Sequence, residues 1–337
     1  MIGIMIIMYP FLVIALTAKS DKKIYSSRGY LLTLRDKRHF CARRGGGKNS
    51  NIWFDGGSNV RFSIDACLVA QALRRNVYVI ADYYYIPWRL RFYNLLSYLN
   101  TGDVLVLSLE FFQYAEEYNI SKIFRNILKK KEPNIYGVLG LYCDYINSPA
   151  VPFWYKYAQS FFVHPVLLKY FWKMSLHRGD MTELFRREPE LYSVRVETGH
   201  ENEYSVITHP APRKICPMDP NQPSGVDRVL KNNRFKIRER MQTDLNILKK
   251  IQEKGVRIFW SWPVAIWTGK NLAENVKERE EFEKEVRNLI QSYGIKFLGN
   301  LEDYIYAVDA QHEGNVYHVN AKYQKIHTEK LIDLLKL

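Results

Sequence analysis

The sequence predicts an α/β protein with a mainly parallel sheet, arranged in three layers with helices on both faces. From Asn51 onward, short apolar runs alternate with longer amphipathic segments, a pattern typical of strands joined by helices. The run DVLVLSLE, Asp103 to Glu110, is almost continuously apolar, as expected of a strand covered on both faces. A chain of 337 residues suffices for one elaborated domain, or for one domain with an insertion.

The individual elements follow from hydrophobic periodicity and from glycines that end helices. The first strand is predicted at Asn51–Asp55, and Ser63 is the expected cap of the helix after it. Strands are further predicted at 76–82, 103–110, 256–262 and 295–299, and helices at 88–100, 227–254, 274–293 and 321–335. Gly102, Gly255 and Gly294 stand where three of these helices are expected to end.

Residues 133–226 break this pattern and are predicted to form an insertion or cap over the sheet. The segment Val151–Met174 within them is very rich in aromatic residues. Such rings stack on sugars or lie at a membrane interface, and packing in the insertion's own core is the structural alternative.

The N-terminal residues 1–18 are predicted to be a membrane anchor or a signal. Ile2–Ala18 is a run of uncharged residues, followed at once by KSDKK. This length fits an uncleaved anchor better than the core of a cleaved signal, and a buried first element is a third interpretation. Residues 19–50, ending in ARRGGGKNS, are expected to be a linker to an α/β domain at 51–337. The domain would then lie outside the cytoplasm, anchored to the membrane, or secreted if the segment is cleaved.

The charge and the motifs limit the class of partner. The formal net charge is +14, which attracts nucleic acid, an acidic membrane surface or an anionic polymer. Because no zinc-finger spacing or RNA-binding signature is present, nucleic acid is not the expected partner. The chain has no CxxC pair, no P-loop and no G-x-G-x-x-G motif, so neither a metal nor a cofactor is expected.

The stretch FDGGSN places a serine at the end of the first predicted strand. In open parallel sheets, ligands bind at the carboxyl ends of the strands, which is where Ser58 would lie. Gly56 and Gly57 permit a tight turn and a close backbone approach before it. A serine hydroxyl needs a neighbouring base to act as a nucleophile. The C-terminal segment that would return to this edge contains three candidate bases, His312, His318 and His327. If they are not catalytic, His312 is expected to be an exposed loop residue and His327 a helix-surface residue.

Three blocks of the sequence resemble the SGNH (GDSL-type) hydrolases. FDGGSNVRFSID resembles their first block, in the Gly-Gly-Ser-Asn variant found among proteins that modify bacterial cell-surface polysaccharides. GDVLVLSLEFFQY, Gly102–Tyr114, resembles the third-strand block, and YHVNAKYQKIHTEKLIDLL, Tyr317–Leu335, resembles the closing block. The resemblance implies a three-layer fold of flavodoxin-like topology.

The same resemblance implies a set of catalytic roles. Ser58 would attack an ester carbonyl, and His318 would act first as general base and then as general acid. In the family an aspartate a few residues before the histidine orients its imidazole, whereas here Asn315 stands three residues before His318. The nearest carboxylates are Asp309 and Glu313, and Asp309 is the candidate for this role. Asp309 also forms a D-x-x-H pattern with His312, which is therefore the alternative base.

The oxyanion hole departs from the family pattern. The family uses the nucleophile's N–H, a glycine after the second strand and an asparagine after the third, whereas this chain has DYYYIPW and LEFFQY there. The remaining candidates for oxyanion or substrate contacts are Gly57, Asn59 and Glu110.

The expected function is that of a membrane-anchored, extracytoplasmic serine esterase or O-acyltransferase. Its partners would be a cell-surface polysaccharide or acylated glycan and, for acyl transfer, a membrane partner that donates the acyl group. The alternative is an SGNH-like protein of weak or no catalytic activity that binds glycan or scaffolds a modification or export complex. The missing glycine and asparagine favour this alternative.

Overall fold

A six-stranded sheet forms the centre of the fold. The computed structural model describes residues 8–16, 40–41, 50–81, 88–115, 152–160, 237–267, 276–312 and 315–336. The sheet strands are β1 (Phe40–Cys41), β2 (Ile52–Gly56), β3 (Val77–Ala81), β4 (Val104–Ser108), β5 (Arg257–Ser261) and β7 (Lys296–Leu298). Their order is β1-β3-β2-β4-β5-β7; β1 is antiparallel to β3, and the other five strands are parallel. The predicted α/β class with a mainly parallel sheet is thus confirmed.

Four further short strands of the described residues lie outside the main sheet. They are β6 (Ala265–Ile266), β8 (Ile305–Tyr306), β9 (Gln311–His312) and β10 (Asn315–Val319). The first two pair in parallel, and the last two form an antiparallel pair. Single turns of 3-10 helix lie at Leu301–Tyr304 and Val308–Ala310.

The described helices are α1 (residues 8–16), α2 (Ser58–Ser63), α3 (Ala66–Leu73), α4 (Trp88–Tyr98), α5 (Phe111–Ala115), α6 (Phe153–Ser160), α7 (Ile237–Glu253), α8 (Val276–Gln291) and α9 (Ala321–Leu335). Gly255 and Gly294 adopt positive φ after α7 and α8, as the sequence predicts for residues that end helices. The expected cap at Ser63 is wrong: α2 ends there. The Asp65 side chain caps α3 instead, accepting hydrogen bonds from the N–H groups of Cys67 and Leu68.

The strand order places a topological switch beside β2. From β2 the chain moves to β3 on one side and then to β4 on the other. In the parallel register Gly56 aligns with Ala81 and with Ser108, so the three strands end at the same level. A switch of this kind opens a crevice at the carboxyl ends of the strands, which is the usual ligand position in such sheets.

The amino ends of the same strands are tied together by Asp103. This buried carboxylate accepts hydrogen bonds from the N–H groups of Asn51 (2.7 Å) and Asn100 (3.0 Å), and from Trp53 Nε1 (3.0 Å). Because a buried carboxylate is costly without such donors, the network fixes the start of β4 against β2.

The closing helix α9 is fastened to the junction between α2 and α3. Thr328 Oγ1 accepts a hydrogen bond from the N–H of Asp65 at 3.0 Å, and its single proton is shared between the carbonyls of Gln324 (2.7 Å) and Ser63 (3.3 Å). Gln324 Nε2 donates to the carbonyl of Ile64 at 3.3 Å. These buried contacts bring the last elements of the chain beside the first α/β unit.

The chain divides into two compact units. One comprises Met1–Arg35, Ile86–Tyr98 and Tyr118–Thr198, and the other comprises the remaining residues, including the sheet. Within the first unit, α1 meets α6 through the rings of Phe11, Phe153 and Tyr157. Among the described residues, no helix has the length and apolar character needed to cross a bilayer. The predicted linker at 19–50 and insertion at 133–226 lie mostly outside the described residues.

Candidate functional site

The candidate site lies at the carboxyl ends of β2 and β4, beside the topological switch. Gly57 follows β2, and α2 begins at the next residue, Ser58. Across the crevice, β4 ends at Ser108, and Glu110 comes directly before α5. Since Gly56 pairs in register with Ser108, the residues after the two strands are brought together.

Both glycines are required by close packing rather than by a special backbone conformation. Gly57 has a negative φ, −81°, and Gly56 is not among the glycines of positive φ. A Cβ on Gly56 would overlap the carbonyl oxygen of Ser108 and a methyl group of Val60. A Cβ on Gly57 would overlap the carboxyl group of Glu110. The predicted close approach is therefore present, and the glycines are explained by the neighbouring strand.

Glu110 directs its carboxyl group at the start of α2. Its Oε1 accepts a hydrogen bond from the N–H of Asn59 at 3.2 Å, and the residue is 1% exposed. Its backbone is held by a reciprocal pair with Gln113, in which the Glu110 N–H donates to Gln113 Oε1 and the Gln113 N–H donates to the Glu110 carbonyl, both at 2.9 Å. The backbone N–H of Asn59, the residue that follows Ser58, is thus already bound to the carboxyl group of Glu110.

Asn59 joins α2 to β4 and faces the interior. It is fully buried, and its Nδ2 donates to the carbonyl of Ser108 at 3.3 Å and to Ser108 Oγ at 3.2 Å. Ser108 Oγ in turn donates to the carbonyl of Trp262 at 3.1 Å. The side-chain donor of Asn59 is therefore used for strand-to-helix contacts.

His318 lies against α2. Its imidazole stacks on the ring of Phe62 with a centroid distance of 4.0 Å and an interplanar angle of 25°. Phe62 stands four residues after Ser58 in α2, and residues at this spacing are neighbours on one side of a helix, about 6 Å apart along its axis. The strand β10 thereby carries His318 to the helix that begins with Ser58.

Asp309 contacts the start of α9 instead of His318 within the described part of the chain. Its Oδ2 accepts a hydrogen bond from the Tyr323 hydroxyl at 2.6 Å, and its carbonyl accepts one from Asn320 Nδ2 at 2.8 Å. The hydrogen bond to Asp309 raises the pKa of Tyr323. His312 lies in β9, paired with Asn315 of β10.

His327 is a core residue, and the expectation of a helix-surface histidine is wrong. It is 2% exposed, its Nδ1 lies 3.0 Å from the Tyr306 hydroxyl, and the ring of Tyr304 packs edge-on against it. Burial, with a smaller contribution from Lys330, lowers its pKa to about 3. Its imidazole is accordingly neutral at ordinary pH and serves packing.

Sequence reasoning missed Phe62 because the short helix α2, in which Phe62 stands four residues after Ser58, was not predicted. The segment DYYYIP, which stands where the family has its oxyanion-hole glycine, lies outside the described residues. No group of three or more His, Cys, Asp and Glu side chains suited to a metal occurs where side chains are described. The site therefore brings together Gly57, Ser58, Asn59 and Glu110, with His318 one helical turn away.

Comparison of the chain with protein-family models, with curated proteins and with solved structures gives no match.

Proposed function

We propose that this protein is an SGNH-like serine esterase or O-acyltransferase that acts on an acylated cell-surface glycan. The observation that carries the proposal is the stacking of His318 on Phe62, one helical turn from Ser58. It supports a nucleophile and a base on the same side of α2, at the sheet edge where ligands bind.

The chemistry follows from these two residues. Ser58 would attack the ester carbonyl while His318 takes the hydroxyl proton, and the same proton would then pass to the leaving alcohol. A water molecule or a glycan hydroxyl would next attack the acyl-serine while His318 removes its proton, and that proton would pass to Ser58 Oγ as the bond between Oγ and the acyl group breaks. Hydrolysis results in the first case and acyl transfer in the second. The backbone N–H of Ser58 remains as the donor to the developing oxyanion, since that of Asn59 is bound to Glu110.

The sheet supports the family assignment at the level of topology. The five parallel strands follow the order β3-β2-β4-β5-β7, which is second, first, third, fourth and fifth along the chain. This is the flavodoxin-like order that the sequence resemblance implies. The three-layer arrangement and the SGNH identity belong to the proposal.

Attachment to a membrane is supported by the first compact unit. Five large apolar side chains of α1 and α6 are exposed: Met8, Phe11, Leu12, Phe153 and Trp154. Aromatic residues on a helix surface are typical of membrane interfaces and of sugar-binding faces. With the uncharged run Ile2–Ala18, they favour a protein held at an extracytoplasmic membrane surface.

A second candidate is an SGNH-like protein that binds glycan without turning it over. The position of Glu110 favours it, because negative charge on a carboxyl group beside Gly57 and Asn59 would oppose negative charge on a reacting carbonyl oxygen. In this case the crevice would recognise a glycan and present it to another component of an export or modification complex.

Labelling by a serine-reactive fluorophosphonate distinguishes the two candidates. The full chain, in detergent, is compared with Ser58→Ala and His318→Gln, and p-nitrophenyl acetate hydrolysis is measured in parallel. Ser292→Ala is the matched control, since Ser292 is an exposed serine at the end of α8 whose Oγ donates to the Leu289 carbonyl. The esterase requires that Ser58→Ala abolish labelling while Ser292→Ala retains it. Equal labelling of wild type and Ser58→Ala removes the esterase and leaves the glycan-binding candidate.

A further inference from the structure

Arg279 is a buried arginine beyond the carboxyl edge of the sheet. It lies in the first turn of α8, is 3% exposed, and its guanidinium carbon stands 4.5 Å from the ring centroid of Trp267. Trp267 follows β6, a strand that comes four residues after the end of β5. Both residues therefore belong to the side of the sheet on which β2 and β4 also end.

Arg279 and Trp267 form a cluster of hydrogen-bond donors that have no acceptor among the described residues. Arg279 Nε, Arg279 Nη1 and Trp267 Nε1 are all buried and unpartnered in the part of the chain that the structure describes. A guanidinium group stays charged in proteins. A buried charge without a counter-charge or hydrogen bonds is strongly unfavourable, and a ring face compensates for only part of that cost.

Arg287 of the same helix shows how this fold normally satisfies an arginine. Its guanidinium carbon lies over the ring of Phe297 at 4.6 Å, much as Arg279 lies over Trp267. Yet Arg287 Nη2 donates to Glu283 Oε1 at 2.5 Å, to the Gly299 carbonyl at 2.9 Å and to Asn300 Oδ1 at 3.2 Å. The half-buried Arg287 has three acceptors, whereas the more deeply buried Arg279 has none among the described residues.

The N-terminal end of α8 adds to the positive potential around Arg279. The helix has 16 residues, and its first turn leaves backbone N–H groups without helical partners. Glu278 is the acidic residue of this turn, but adjacent helical positions point in directions about 100° apart. Phe282, one turn further on, packs against Phe111 and Trp262 and so connects this region with the end of β4.

We propose that Arg279 and Trp267, with the first turn of α8, bind an anionic group of a ligand, either a carboxylate or a phosphate. An anionic acceptor supplies both the counter-charge for the guanidinium and an acceptor for the indole N–H. The anion site is inferred from the surroundings of Arg279 alone and does not depend on the proposed function. The identification of the ligand as an acidic glycan, bearing uronate or phosphate groups, rests on the proposed function.

The sequence pattern contained a signal of this site, because Arg279 stands three and seven residues before Phe282 and Val286, on the apolar face of α8.

The test is a thermal-unfolding titration of the full chain in detergent. Sodium glucuronate and sodium phosphate are added separately, and sodium chloride keeps the ionic strength constant because a protein of charge +14 attracts anions non-specifically. A specific site gives a saturable rise in Tm with one of the two anions, and the responding anion identifies the group.

Variants locate the site. Arg279→Gln should weaken binding by roughly 10- to 100-fold, and Trp267→Phe, which keeps the ring but removes the N–H, by roughly threefold to tenfold. Arg287→Gln is the matched control and should bind as wild type does. Ser58→Ala should also bind normally, so that loss of esterase activity and loss of anion binding are separate results.

Two results overturn the proposal. The first is a wild-type Tm that neither anion raises beyond the chloride reference, an outcome that needs no variant to fold. The second is equal weakening by Arg287→Gln and Arg279→Gln, which would show a diffuse effect of positive charge.

Discussion

Glu110 Oε1 accepts a hydrogen bond from the backbone N–H of Asn59 at 3.2 Å, across the crevice between β2 and β4. The carboxyl group occupies the space that a side chain on Gly57 would need. Two residues that are 51 positions apart thus determine both the packing and the electrostatics beside Ser58. The first two predictions examine this contact.

Replacing either glycine of the pair should destabilise the fold, but for different reasons. Gly57→Ala displaces the end of the Glu110 side chain and should lower the free energy of unfolding by about 1–3 kcal/mol. Gly56→Ala meets the backbone of Ser108 and should cost more. Urea denaturation measures both. Adding Glu110→Ala should relieve part of the Gly57→Ala effect and none of the Gly56→Ala effect; equal behaviour of the two glycines would contradict this account.

Neutralising Glu110 should accelerate chemistry at Ser58. Glu110→Gln keeps the shape and the acceptor for the Asn59 N–H, but removes a negative charge beside the developing oxyanion. We expect p-nitrophenyl acetate hydrolysis to rise roughly tenfold at pH 8. A large decrease would instead assign Glu110 a direct role as a base.

Asp309 and His318 should differ strongly in their effect on turnover. The Asp309 carboxylate is bound to Tyr323, whereas the imidazole of His318 packs against the helix that begins with Ser58. We therefore expect His318→Gln to lower kcat by at least about 100-fold and Asp309→Asn by less than about tenfold. Tyr323→Phe frees the carboxylate and serves as a control. Equal losses for the two variants would show that Asp309 orients His318 during catalysis.

His327 should make the fold less stable in mild acid. Its folded pKa of about 3 is below its ordinary value of 6.5, so between these pH values the unfolded chain binds a proton that the folded chain does not. Stability should fall as pH decreases from 6.5, with a contribution of up to about 1.4 kcal/mol per pH unit. Denaturation of wild type and His327→Gln at pH 7 and pH 5 measures the difference in slope. The control is His318→Gln, because His318 is only half-buried. If the unfolding free energy of wild type and of His327→Gln depended on pH with the same slope, this contribution would be disproved.

Exposed aromatic residues of α6 should contribute to membrane binding. Trp154 is 66% exposed, and burying such a ring in a lipid interface favours binding by about 1.5–3 kcal/mol. Trp154→Ser should therefore lower binding to vesicles containing anionic lipid by at least about fivefold in flotation. Val308→Ser is the control, since Val308 is an exposed apolar residue of the other unit. Identical flotation of wild type and Trp154→Ser would exclude this surface.

The sequence predicted the five parallel strands and the longer helices because each is encoded by local periodicity, whereas the short helix α2 was not predicted. The apolar run around β4 and the helix 321–335 are found where the pattern places them. The error at Ser63 has a local cause: both Ser63 and Asp65 are good caps, and the side chain that reaches two free N–H groups is that of Asp65.

The site was less predictable because its contacts are long-range. The GGSN stretch indicated a close approach, but no local pattern shows that the approaching group is the Glu110 carboxyl. The stacking of Phe62 on His318 depends on a strand that enters from the C-terminal part of the chain. Periodicity likewise cannot distinguish the buried His327 from a surface histidine.

The attachment of α9 to the α2–α3 junction also sets the order of events in synthesis. Thr328 and Gln324 bind residues that precede them by 260 to 265 positions, and His318, which stacks on Phe62 of α2, belongs to the same part of the chain. Contacts so distant in sequence form late, after a slow search for the correct pairing. A nascent chain would carry its serine long before it acquires the histidine, so any acyl chemistry here would begin only once translation has passed residue 328 and that segment has docked.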